Sequence, residues 1–268
     1  MVSVKCAAIA GFATVLASVA NAADMPVLMP VQQQWGGWYL RGDIGFSNQR
    51  VGSTRYDFGI IAPPDSVQYV SREFETGGIF GLGIGYQFNN WLRFDVTGEY
   101  RSASTFHGFE INSSGGNTIP EQVTLIKSEW VALANIYADL GTWWYVTPFI
   151  GAGIGVANVR LGGFTDTAFI PGDPPSVAMN YAQEGSQWNF AWALYAGLAY
   201  KVTPNFAVEF AYRYLNMGDG KTGSPITGYD ASYQGDHYEL KNIYSHDLKF
   251  GVRWMLEPPM PAPIMSRG

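Results

Sequence analysis

"WYLRGDIGF", residues 38–46, is the stretch that decides the fold. Trp38, Leu40, Ile44 and Phe46 share one parity, with Gly42 among them, and Tyr39, Arg41, Asp43 and Gly45 hold the other. A β-strand sends successive side chains to opposite faces, so this stretch has one apolar face and one charged face. With the apolar face inward the chain is a soluble barrel or sandwich. With the charged face inward, the medium outside is lipid.

The pattern recurs in seven further segments: 79–88 (IFGLGIGYQF), 91–101 (WLRFDVTGEYR), 129–140 (EWVALANIYADL), 148–158 (PFIGAGIGVAN), 188–201 (WNFAWALYAGLAYK), 206–214 (FAVEFAYRY) and 245–256 (SHDLKFGVRWML). Segment 129–140 is the least regular, because Val131 and Leu133 fall on the polar parity. Each segment is near the ~9–11 residues that cross a bilayer at a tilt. Asn89-Asn90 reads as a two-residue hairpin turn, and 141–147 and 202–205 are short as well. The other four connections, 48–78, 102–128, 159–187 and 215–244, are long and rich in Gly, Ser, Asn, Asp and Pro. Short turns at one rim and long loops at the other predict an all-β fold: an eight-stranded antiparallel up-and-down transmembrane β-barrel.

The ends and the composition agree with export. Lys5, the small and apolar run Cys6 to Val19, and Ala20-Asn21-Ala22 form a secretory signal with cleavage after Ala22. Removal of Cys6 leaves no cysteine, which excludes a disulfide framework and a Cys-ligated metal. No later run of ~20 apolar residues predicts a transmembrane helix. The expected organisation is a signal peptide (1–22), a periplasmic lead (23–34), an outer-membrane barrel (35–256) and a Pro-rich periplasmic tail (257–268).

Charge decides which face is inside. The polar parity carries Arg41, Arg93, Arg101, Lys201, Arg213, Lys249 and Arg253 against Asp43, Asp95, Glu99, Glu129, Asp139, Glu209 and Asp247. The two sets balance, so the net charge of −6 resides in connections and ends. An enclosed interior needs this balance, because an unpaired buried charge costs several kcal/mol while a hydrogen-bonded pair roughly breaks even. Gly81, Gly83, Gly85, Gly151, Gly153 and Gly155 also lie on the polar parity, making room for long Arg and Lys side chains. "GAGIGVA" is not a dinucleotide loop, since Val156 stands at the third glycine position and no helix pattern follows. On the apolar parity, Trp38, Phe88, Tyr200, Phe206 and Trp254 lie toward the short turns, and Phe46, Phe80, Tyr100, Trp130, Trp188, Tyr212 and Tyr214 toward the long connections. Two aromatic belts with aliphatic residues between them are the interfacial girdles of a barrel in lipid.

The segments "GWYLRGDIGF" and "TPFIGAGIGVA" and the closing strand resemble the small OmpA-type and opacity-type outer-membrane barrels of Gram-negative bacteria, especially their porin-like surface-antigen relatives. The resemblance runs from about Trp35 to Leu256. Lys249, Gly251, Trp254 and Leu256 match the C-terminal signal that the β-barrel assembly machinery reads in that family, ending in Leu rather than Phe and lying inside the chain. The tail "EPPMPAPIMSRG" resembles the linker after an OmpA barrel, with no peptidoglycan-binding domain following it.

The first function expected is that of a structural and surface protein of the outer membrane, with four long extracellular loops and no cofactor. Its expected partners are outer-membrane lipids, lipopolysaccharide, the assembly machinery and a surface ligand at the loops; nucleic acid is not expected. A narrow solute channel is the alternative. A lipid A-modifying enzyme is less supported: Ser245-His246-Asp247 has the residue types of a triad, but strand alternation sends His246 to lipid, away from its neighbours, with no partner evident on its own face. His107 and His237, in two different long connections, are the residues to test for haem capture. Asp230, Asp236 and Glu239 offer acidic oxygens for divalent cations, without EF-hand spacing, and Tyr229, Tyr233 and Tyr238 suit a recognition surface.

Overall fold

A computed structural model describes residues 36–56, 64–227 and 237–256. The expected signal peptide, lead and tail, and Tyr229, Asp230, Tyr233 and Asp236, lie outside the described residues. The elements are β1 (Gly37–Tyr56), β2 (Ser66–Phe74), β3 (Gly77–Gln87), β4 (Leu92–Ser114), β5 (Asn117–Asp139), β6 (Val146–Ile170), β7 (Ser176–Ala182), β8 (Gly185–Thr203), β9 (Phe206–Lys221), β10 (Pro225–Thr227) and β11 (Tyr238–Met255). Among the described residues no helix is long and apolar enough to cross a membrane.

Eight of these strands close a ring. The antiparallel order is β1-β3-β4-β5-β6-β8-β9-β11, and β11 returns to β1 through a register that sets Arg41 opposite Arg253 and Ile44 opposite Phe250. Closure removes every edge across the span, which is the condition for backbone polar groups to survive in hydrocarbon. The faces sort as the charge balance requires. Phe46 and Leu82 are 70% and 74% exposed, whereas Arg93 and Arg101 are fully buried. From Trp38 to Phe46 the strand climbs about 27 Å, or roughly 20 Å along the membrane normal at the usual tilt, close to the ~25 Å apolar band of such barrels.

The short turns follow local chemistry. The Asn89 carboxamide oxygen accepts from the backbone N–H groups of Trp91 (2.9 Å) and Leu92 (2.8 Å). That turn therefore spans 88–91 and is longer than the two residues expected, because an Asx cap replaces the simple hairpin. Gly115 and Gly116, with φ of 56° and 83°, form the tight turn between β4 and β5.

The four long connections are largely strand, which differs from the irregular loops expected. β4, β5 and β6 run 23, 23 and 25 residues, more than twice what a bilayer needs. β2 continues above β3 by pairing with β4, β7 continues above β8 by pairing with β6, and β10 pairs with β7. Along these extensions the two faces exchange chemistry. Below, ions point in and aliphatic residues out. Above, Phe106, Val123, Leu125, Leu161, Met217, Tyr238 and Ile243 are buried and pack together as an apolar core. The upper part is packed as a water-facing β-sheet is, with its apolar side inward, above an inverted barrel; among the described residues β2 forms a ladder with β4 and none with β1.

Candidate functional site

The lumen is the site to which the sequence-selected charges belong, and it is built in two tiers. In the lower tier, Arg41 on β1 reaches Asp43 (2.8 Å) and Asp95 on β4 (2.7 Å), and donates to the Tyr137 hydroxyl on β5 (3.0 Å). Arg93 on β4 bonds Asp139 on β5 (3.1 Å) and Glu209 on β9 (3.0 Å). Its guanidinium lies over the Tyr137 and Phe149 rings, at 4.4 and 4.6 Å from their centroids, so its apolar faces are covered as well. Arg253 on β11 completes the tier, bonding Glu209 (3.1 Å) and donating to Gln87 (3.1 Å).

In the upper tier, Glu99 on β4 takes Arg213 of β9 (2.6 Å), Lys249 of β11 (3.0 Å) and Arg101 (3.2 Å). Asp247 on β11 takes Arg213 (2.7 Å) and Arg101 (3.0 Å). Lys249 also stands 3.5 Å from Asp43, joining the tiers. Every one of Arg41, Asp43, Arg93, Asp95, Glu99, Arg101, Asp139, Glu209, Arg213, Asp247, Lys249 and Arg253 is buried. Opposite charges sealed from water are here placed against one another, most of them in more than one contact, as buried ions require.

Sequence reasoning placed Lys201 in this set, but it is half-buried at the periplasmic rim and points its amine toward Thr142 (3.5 Å). Its place is taken by Lys127, fully buried and in contact with Glu129 and Gln49. Lys127 was passed over because it lies in a segment read as a loop, although it shares the parity of Glu129, Asn135 and Asp139. Asn135, buried on β5, donates to Asp95 (2.7 Å) and Thr97 (3.1 Å) and accepts from Tyr195 (2.9 Å).

The lumenal glycines make room for several kinds of neighbour: Gly83 for the Arg41 stem and Thr97, Gly81 for Asp43 and Glu99, Gly153 for Asn135, and two of them for aromatic rings. Gly85 faces Tyr39 across β1–β3, and Gly151 faces Tyr137 across β5–β6; a Cβ at either would collide with the facing ring and a neighbouring carbonyl. Val131 and Leu133, irregular in the sequence pattern, are buried with Ala157, Ala191, Ala193 and Leu215 on the β5–β6–β8–β9 side of the lumen.

The remaining residues of interest are engaged separately. His107 lies on β4 between Glu73 of β2 and Thr124 of β5, with Glu75 3.6 Å away. His237 sits before β11 with its Nδ1 3.0 Å from the carbonyls of Thr222 and Gly223. No group of three or more His, Cys, Asp or Glu among the described residues is arranged to hold a metal. Ser245 and Asp247 are buried in the lumen while His246 faces out. His246 does have a partner on its own face, contrary to expectation: the Tyr212 hydroxyl lies 2.6 Å from its Nδ1. In the closing strand, Lys249 and Gly251 face inward, Trp254 is exposed outward, and Leu256 follows the last paired residue.

Above the membrane the extension holds a second polar group. Glu110 on β4 and Glu121 on β5 are direct cross-strand partners, and Asp166 on β6 is close enough to act on both. Burial, then the neighbouring carboxylates, pushes Glu110 up to about 7; burial, then Asp166, does the same to Glu121. Burial raises Asp166 too, against hydrogen bonds from Tyr56 (2.8 Å) and Asn180 (3.4 Å).

Comparison with known proteins gives the context for this geometry. The chain matches the outer membrane protein beta-barrel domain family over residues 10–255. It is 33% identical over 234 residues to an uncharacterized protein of Brucella abortus, covering 80% of each chain. It is 28% identical over 169 residues to outer membrane protein PagN of Salmonella typhimurium, covering 58% of this chain and 67% of that one. The solved outer membrane protein OprG from Pseudomonas aeruginosa aligns over 84% of this chain and 99% of its own, at 15% identity and a TM-score of 0.47.

Proposed function

This chain belongs to the outer membrane protein β-barrel family of bacteria, and on that premise we propose that it acts as a structural and surface protein of the outer membrane, closed to solutes. The observation that carries this reading is the pair of ionic contacts across the full width of the lumen, Arg93–Glu209 and Arg213–Glu99, each joining strands four places apart in a ring of eight. The apolar core of the extension lies over them. A solute would have to break buried ion pairs and then enter a packed hydrophobic layer. The charges fix the cylinder, and the cylinder carries a β-built platform above the bilayer whose rim and turns meet the exterior. On the same reading, the last strand's Lys249, Gly251, Trp254 and Leu256 guide insertion by the assembly machinery, and the chain carries out no chemistry.

Planar-bilayer recording of the purified, refolded protein tests the proposal. Silence at both polarities is the expected result, and stable charge-selective conductance overturns it in favour of a narrow channel. Lipid A profiles of cells with and without the protein test the absence of enzymatic action; identical masses are expected.

A further inference from the structure

The outer wall carries a polar and aromatic patch where a membrane-spanning surface should be turning from hydrocarbon to headgroup. Cross-strand register lays it out in rows. Ile44, Phe250, Phe210 and Leu198 form a fully apolar row. Two rows higher stand Asn48, His246, Tyr214 and Leu194, and above them Arg50, Tyr244, Asn216 and Trp192. All of these lie on the outward parity.

The side chains of the patch are organised among themselves. Tyr214 stacks on Tyr244 (centroids 5.7 Å apart, planes 29° apart), His246 packs edge-on to both, and Trp192 lies 5.3 Å from Tyr214. Tyr212 holds His246 by its hydroxyl, and Asn216 donates to Asn242 (2.7 Å). Beside them, Arg50 is exposed and directly opposite Tyr244. Two other outward cations near this level are neutralised within the protein, Arg160 by Glu184 and Lys241 by Asp219 and Glu239. Arg50 forms no ion pair with any described residue, so its charge is offered outward.

We propose that this patch, Arg50 with Trp192, Tyr212, Tyr214, Tyr244 and His246, is a binding site for the phosphorylated disaccharide headgroup of lipid A in the outer leaflet. The chemistry fits on three counts. A guanidinium forks onto phosphate with charge-assisted hydrogen bonds. Aromatic faces with hydroxyl and imidazole edges suit an amphipathic ring that is apolar on one face and wet at its edge. The apolar rows directly below receive acyl chains attached to that headgroup. An ordinary phospholipid offers the phosphate but no sugar to cover the aromatic faces. The inference needs the barrel to stand in the outer membrane, and it is independent of whether the lumen conducts.

Native mass spectrometry of the full protein, delipidated and titrated with bis-phosphorylated lipid A, dephosphorylated lipid A or phosphatidylglycerol, tests it. The expected result is one retained lipid A, with Arg50→Gln and His246→Phe each weakening retention, Arg50→Gln by about tenfold as for the loss of one charge-assisted contact. The two control lipids should bind correspondingly less well. Arg160→Gln, on the opposite wall, should leave retention unchanged. Because Arg50 and His246 lie outside the packed lumen, heat-modifiable gel mobility should certify both variants as folded. Equal retention of lipid A by wild type and the Arg50→Gln/His246→Phe double variant overturns the proposal, as does equal retention of dephosphorylated lipid A or phosphatidylglycerol. Neither result bears on conductance, so the two readings fail separately.

Discussion

Arg213 and Glu99 are 114 residues apart in sequence and on opposite walls of the barrel, yet their side chains meet at 2.6 Å in the middle of the lumen. This contact forms only when the ring is closed, and Asp247, Arg101 and Lys249 surround it with further opposite charges. Removing one member leaves its partner buried with a surplus charge.

The pair should therefore behave non-additively. Glu99→Gln or Arg213→Met alone should destabilise the barrel by about 3–5 kcal/mol, and the double variant by clearly less than the sum. Urea unfolding from lipid vesicles measures all three. Additive losses would mean that the charges do not depend on one another.

Gly151 should tolerate no side chain. A Cβ there would meet the Tyr137 ring and lie 2.9 Å from the Ile136 carbonyl oxygen. Gly151→Ala should cost about 1–3 kcal/mol as overpacking, partly recovered by adding Tyr137→Leu, which removes the ring but leaves the carbonyl. Unfolding midpoints of the single and double variants show whether the ring is the obstacle.

The extension should be more stable in mild acid than in mild base. Glu110 and Glu121 keep their protons up to about pH 7 in the folded protein, whereas an unfolded glutamate loses its proton near pH ~4.3. Between those limits the folded form binds more protons, so stability is full below the lower one and is lost as pH rises through the upper one. Hydrogen-exchange protection of residues 106–124, corrected for intrinsic rates, should be greater at pH 5 than at pH 8. Glu110→Gln with Glu121→Gln should flatten the difference. Greater protection at pH 8 would reverse the sign and exclude the mechanism.

The upper core should fail separately from the lumen. Leu125 is fully buried among Phe106, Val123 and Leu161. Leu125→Ala should cost about 2–5 kcal/mol locally. Protease should then cut within β4 and β5 above the membrane while heat-modifiable mobility persists; loss of that mobility would show that the two cores unfold as one.

The membrane-spanning half was legible because one solvent rule holds along nearly every segment, with Val131 and Leu133 of β5 the exception. Trp38 to Phe46 and Lys249 to Trp254 never change which parity is greasy. The extension was hidden by two physical causes. Its faces are exchanged, and register irregularities between Arg101 and Ser104 on β4, Gly162 and Thr165 on β6, and Leu240 and Ile243 on β11 shift the phase where those strands enter it. A bulge moves side chains to the other face, so alternation read straight through it dissolves into apparent loop. Lys127 keeps the parity of Glu129 and was hidden by the exchange of faces alone, because the next inward positions, Leu125 and Val123, are apolar. The pairing of Tyr212 with His246 was illegible for a different reason: the register between β9 and β11 sets it, and no local pattern reveals that register.

The phase resets also separate what the exterior sees from what the bilayer holds. An insertion or exchange at the Gly115-Gly116 tip is absorbed above the bulges and never reaches the register of the lumen. That tip is thereby free to vary in length and sequence while the anchor beneath it keeps a single, fixed design.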